Sequence, residues 1–181
     1  MNIHKFTATL TTFILGTALL TAIGCADNGE APQTDAAPLP DALFLSEAPE
    51  GVQAITDLKS TAKEGDEVVV KVIVGGKMDP IVEGRASAAI IDASLANPCT
   101  SEDDHCKTPW DYCCTPTEDV TANLANLQIL DDQGKVLAAD LSSKIEPLSV
   151  LTVRGIVGPR PDAQVLTINA TGIYIAAGAS E

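Results

Sequence analysis

Four cysteines lie close together in the chain and could form disulfide bonds or bind a metal ion. They fall within sixteen positions, in the pattern C-x6-C-x6-C-C, as Cys99, Cys106, Cys113 and Cys114. An oxidising compartment permits two disulfide bonds among four cysteines, with three connectivities. A bond between the neighbours Cys113 and Cys114 would close a strained ring, so we expect each of them to pair with Cys99 or Cys106. The spacing therefore predicts a loop held by two disulfide bonds.

A metal or redox site is the alternative function of the same four cysteines. Thiolates, with His105 beside them, suit soft metal ions such as Cu(I). The spacing departs from the C-x2–4-C pairs of structural zinc sites, and the C-x-x-C arrangement of redox enzymes is absent. We therefore assign no metal ligand and no cofactor, and an extracytoplasmic metal-binding or redox protein stays the alternative.

The rest of the composition argues against catalysis and against nucleic-acid binding. The chain has two histidines, so no Ser-His-Asp or Cys-His-Asn set can be proposed, and we predict no catalytic residue and no enzyme. The paired Asp131 and Asp132 precede Gly134 and are interpreted as turn formers. A net charge of −14, from 25 acidic and 11 basic residues, cannot neutralise phosphates over a broad surface.

The first residues have the pattern of an export signal. Lys5 precedes an uncharged, largely apolar run from Phe6 to Ala26. At its end, Ala22-Ile23-Gly24-Cys25 resembles the bacterial lipobox, although the usual Leu three residues before the cysteine is here Ala22. The resemblance implies removal of residues 1–24 and acylation of Cys25, for example with palmitate. Ordinary signal-peptidase cleavage after Gly24 is the alternative.

These features together predict a location and an anchor. Removing Cys25 from the odd number of cysteines leaves four that can pair. Several acyl chains suffice for stable membrane anchoring. We expect a cell-envelope protein facing the periplasm or the exterior, with the membrane as partner through its lipid. Residues 25–49 are rich in Pro and Ala and predict a flexible linker, in which Leu43-Phe44-Leu45 is a candidate segment for docking on the domain.

Residues 50–181 have the pattern of a small, mainly β domain. Five apolar or β-branched runs predict strands, whereas residues 52–58 fit either a short helix or a strand. The order of these runs resembles an OB-fold over roughly residues 52–175, which implies a five-stranded barrel. The predicted strands are Glu67–Val74, Gly84–Ile91, Leu124–Leu130, Val150–Val157 and Gln164–Ile175.

A cysteine-rich insertion, residues 93–122, separates the second and third predicted strands. Its segment TPWDYCC, residues 108–114, resembles a block in secreted bacterial proteins that have no assigned activity. Loops on rigid scaffolds often carry function, so Trp110 and Tyr112 are the candidate interaction surface. The sequence thus predicts an envelope-anchored, non-enzymatic binding module, with an envelope protein or a small ligand as its partner.

Overall fold

The computed structural model describes residues 37–100 and 106–176. The predicted signal peptide, Cys25, the beginning of the predicted linker and His105 lie outside the described residues. Within these two ranges, no helix is both long and apolar enough to cross a membrane.

Five strands close a barrel in the spatial order β1-β2-β3-β5-β4. Neighbouring strands are antiparallel, except that β3 and β5 run parallel. The mainly β prediction, with a small OB-fold-like barrel, is therefore confirmed. The strands are β1 (Glu67–Val74), β2 (Ser87–Asp92), β3 (Leu124–Gln128), β4 (Val150–Val157) and β5 (Thr167–Ile175).

The alternation of side chains in β1 shows why these residues form a barrel. Val68, Val70, Val72 and Val74 point inward and are buried, whereas the residues between them face outward. β-branched side chains favour extended backbone and pack well on a pleated surface. β2 begins three residues later than predicted, because Gly84 adopts a φ of +67° in the turn before it.

Two short helices flank the barrel. α1 (Ile55–Thr61) settles the open assignment of residues 52–58, and its first N–H donates to the buried Asp92 carboxylate over 2.8 Å. α2 (Thr117–Asn123) lies in the insertion and was not predicted. Four 3₁₀ turns complete the described structure, at Asp41–Leu43, Pro98–Thr100, Pro109–Asp111 and Leu141–Ser143.

The second half of the predicted linker is part of the fold. The Leu45 N–H donates to the Ile173 carbonyl over 2.8 Å, and Phe44 forms a parallel bridge with the same residue. Leu39 and Leu43 are each only 8% exposed. Docking of the 43–45 segment is thus confirmed, while flexibility as far as residue 49 is corrected. Burial of these apolar side chains outweighs the effect of the prolines around them.

Candidate functional site

The insertion packs on the barrel at the end of β1, where two glycines lie next to its backbone. The Gly76 N–H donates to the Trp110 carbonyl over 2.7 Å. A Cβ at Gly75 would lie 2.6 Å from that same carbonyl oxygen, closer than real Cβ contacts come. The absence of a side chain at Gly75 therefore lets the insertion approach the barrel backbone.

The two aromatic residues of the insertion have different environments. Trp110 is partly exposed, and its indole N–H donates to the Met78 carbonyl over 2.8 Å. Tyr112 is 1% exposed and packs against Gly75. The predicted interaction surface is therefore corrected for Tyr112, which anchors the loop instead. Trp110 stays accessible beside Met78, which is 60% exposed.

Tyr112 combines full burial with an unusual backbone conformation. Its φ is +59°, in the left-handed region that few bulky residues adopt. Its hydroxyl group makes no hydrogen bond of good geometry with the described residues, although the Asn97 side chain lies close enough to interact with it. Burial raises the pKa of Tyr112 to about 12. The buried ring therefore packs between the loop and the barrel mainly as an apolar side chain.

The sulfur atoms of the four cysteines converge around Cys113. Its Sγ lies 3.6 Å from that of Cys99, 3.5 Å from that of Cys106 and 3.7 Å from that of Cys114. The sulfurs of Cys99, Cys106 and Cys113 all lie within 4.8 Å of one another. The separations of the Cys113 sulfur from the other three sulfurs all exceed the length of a disulfide bond, about 2.05 Å. The structure thus brings the predicted cysteines together without confirming disulfide bonds between them.

Two side chains that sequence reasoning missed position this cluster. Asn97 accepts from the Cys99 N–H over 3.0 Å and donates to the Pro109 carbonyl over 2.8 Å, so it joins two separate turns. Asp111 accepts from the Cys113 N–H over 2.8 Å and from the Thr108 hydroxyl over 2.9 Å. Asn and Asp commonly bond backbone N–H groups two residues ahead. Asn97 and Asp111 each lie two residues before a cysteine, and this spacing is the sequence signal that could have identified them.

The cysteines differ in their protonation. Burial opposes ionisation of Cys99, but hydrogen bonds from Cys114, Cys113 and Cys106 outweigh it, so the pKa of Cys99 is lowered. Hydrogen bonding with Cys106 and Cys99, together with the nearby Asp111, raises the pKa of Cys113. The Cys114, Cys113 and Cys106 thiols thus surround the Cys99 sulfur and hydrogen-bond with it. Such a cluster can bind a soft cation or be oxidised.

Asp131 has a structural role. Its carboxylate accepts from the N–H groups of Gln133 and Lys135 over 2.8 Å and 2.9 Å, and Gly134 has a φ of +75°. The interpretation of Asp131 as a turn former is confirmed.

Comparison of the chain with family models, curated proteins and solved structures returns no match.

Proposed function

We propose that this chain is a lipid-anchored, non-enzymatic binding module of the bacterial cell envelope. Export is supported by Lys5 and by the uncharged run that follows it. Anchoring is supported by the lipobox-like sequence that ends at Cys25. The module faces the periplasm or the exterior and reaches the membrane through its lipid.

The docked insertion is the proposed binding site. This proposal is supported by the convergence of Cys99, Cys106 and Cys113, whose sulfurs lie within 4.8 Å of one another, with Cys113 exposed and Cys99 buried. A disordered loop would not keep three side chains together in this way, because ordering them costs conformational entropy. Hydrogen bonds from Gly76 and Trp110 to neighbouring backbone carbonyls support a defined position for the loop.

Disulfide chemistry at the same cluster is the second candidate. The Cys113 sulfur lies 3.5 Å from that of Cys106 and 3.6 Å from that of Cys99, and the Cys99 and Cys114 side chains hydrogen-bond each other. Cys113 is therefore placed to pair with either Cys106 or Cys99. An oxidising envelope permits such bonds.

Metabolic labelling with radioactive palmitate tests the anchor. In a bacterial host, the wild-type chain should incorporate label and fractionate with membranes. The C25S variant should incorporate none, while C113S, a matched cysteine variant in the insertion, should be labelled like the wild type. Label in C25S, or none in the wild type, would contradict anchoring through Cys25.

A further inference from the structure

We propose that Cys99, Cys106 and Cys113 form a binding site for one soft d¹⁰ cation, of the class of Cu(I) and Zn(II). This inference rests on the proposed function, which makes the insertion the binding site, and it names the ligand of that site. Thiolates are the protein ligands that such cations prefer.

The separation of the sulfurs fits a single ion between them. A d¹⁰ ion bound at about 2.3 Å by thiolates in tetrahedral or trigonal geometry separates its sulfurs by about 3.8–4.0 Å. The Cys113 sulfur lies 3.6 Å from that of Cys99 and 3.5 Å from that of Cys106. Slight outward movement of the sulfurs therefore admits the ion, whereas a disulfide bond requires two of them to close to about 2.05 Å.

The three cysteines differ in exposure, so that the site is closed on one side and open to solvent on the other. Cys99 is buried, Cys106 is partly exposed and Cys113 is exposed. An ion can thus approach from the side of Cys113 and settle against Cys99. A site that is open on one side also leaves a coordination position for a further ligand.

Two of the three ligands are held before the ion arrives. Asn97 and Asp111 accept from the backbone N–H groups of Cys99 and Cys113. Asn97 also joins the turn that carries Cys99 to the Pro109 turn. Because these contacts already order the turns that carry Cys99 and Cys113, binding loses little further conformational entropy there.

Binding is an acid–base reaction without electron transfer. Each ligating thiol that is still protonated releases its proton to solvent as its sulfur bonds the cation. The ion keeps its oxidation state. Two disulfide bonds would instead consume the thiolate ligands and require an electron acceptor, so the metal-bound and fully oxidised clusters exclude each other.

The first test uses the mature protein, reduced and handled without oxygen. Cu(I) or Zn(II) alone is titrated in parallel samples, each against a competing chelator that sets the free-ion concentration. We expect one ion per chain by native mass spectrometry, with thiolate-to-metal absorption in the ultraviolet. The bound ion should also protect the ligating cysteines from alkylation, a readout that needs no variant. If neither Cu(I) nor Zn(II) binds when all the thiols are reduced, the proposal is overturned.

Variants identify the ligands. C99S, C106S and C113S should each weaken binding by at least about 100-fold. C25S should bind as the wild type does. C114S, whose sulfur contacts Cys113 but lies outside the group of three, should lose less than the ligand variants. Equal loss in C114S would contradict the three-ligand assignment, as would normal binding by C113S.

Two controls make the outcome unambiguous. Circular dichroism should show an intact barrel in each variant, because the cysteines lie outside the main core cluster. The palmitate experiment is independent of the metal titration. If only C25S loses the label and no metal binds, the metal site is rejected and anchoring stays supported. If metal binds but the wild type incorporates no label, anchoring alone is rejected.

Discussion

At the scale of single residues, Tyr112 shows how the loop is fixed. A bulky side chain at a φ of +59° carries a conformational cost that the surrounding contacts must offset. Burial of the ring to 1% exposure against Gly75 supplies that compensation. The hydroxyl group contributes little to it, because its interaction with the Asn97 side chain does not reach good hydrogen-bond geometry.

Two substitutions separate the ring from the hydroxyl group. Y112F should leave the free energy of unfolding unchanged or raise it by up to about 1 kcal/mol, since it removes a buried polar atom that makes no hydrogen bond. Y112A should lower it by about 3–5 kcal/mol by leaving a cavity. Urea denaturation measures both. A large loss in Y112F would show that the hydroxyl group is satisfied.

The pH dependence of stability follows from the same residue. The pKa of Tyr112 is raised to about 12 in the folded protein, against about 10 for an unfolded tyrosine. The stabilisation is therefore fully present below pH 10 and is lost as the pH rises through about 12. The stability of the wild type should fall more steeply than that of Y112F across this window, as measured by urea denaturation at each pH. Parallel curves would contradict the assignment.

Arg160 joins its own loop to the C-terminal end of α1. Its guanidinium donates to five carbonyls, three in or next to the last turn of α1 and two in its own loop. Carbonyls at a helix C-terminus lack partners within the helix and attract positive charge. R160A should cost about 2–4 kcal/mol of stability. The matched variant R154A alters an exposed arginine and should change stability by less than about 0.5 kcal/mol.

R160K refines this test. A lysine keeps the charge but lacks the planar fork that reaches several carbonyls together. We expect its stability to lie between those of R160A and the wild type. Equal stability of R160K and the wild type would mean that charge alone accounts for the contact.

At the scale of elements, the contact between β1 and the insertion sets the site. G75A adds a Cβ 2.6 Å from the Trp110 carbonyl oxygen, so the loop must move. Alkylation of the buried Cys99 should then speed up by at least about tenfold, which corresponds to about 1.4 kcal/mol of lost docking energy. In the control G51A the added Cβ would have no neighbour within 4 Å, so the φ of +83° strains only the local backbone and the alkylation rate of Cys99 should be unaltered. Unchanged alkylation in G75A would refute the docking role.

The segment before the barrel makes a separate prediction. The free energy of unfolding of a chain that begins at residue 50 should be lower, by at least about 3 kcal/mol, than that of a chain that begins at residue 37. The shorter chain loses the burial of Leu39 and Leu43. Thermal unfolding of the two purified fragments measures the difference. Equal stability would restore the flexible linker predicted for these residues.

At the scale of the whole molecule, local patterns predicted the barrel well. The β-branched runs of β1 and β4 match their observed bounds, because extended backbone and alternating burial are both visible in a short window. The turn at Asp131 followed from residue types with strong local preferences. The parallel pairing of β3 and β5 has no local signal in the sequence and was not predicted.

Contacts between distant segments account for what was missed. Tyr112 looked like a surface residue because its neighbours are polar, and its burial depends on Gly75, which lies far away in sequence. The same holds for Leu43 against β5 and for Arg160 against α1. α2 did have local signals, Pro116 before it and Glu118 and Asp119 in its first turn.

The intact mass of the protein isolated from the host envelope, measured under native and denaturing conditions, tests lipid anchoring and metal binding together. We expect a chain that begins at a lipid-modified Cys25, binds one metal ion under native conditions and loses it on denaturation, with the cysteine thiols reduced. A chain that still begins at Met1, carries no lipid and binds no ion would contradict both proposals.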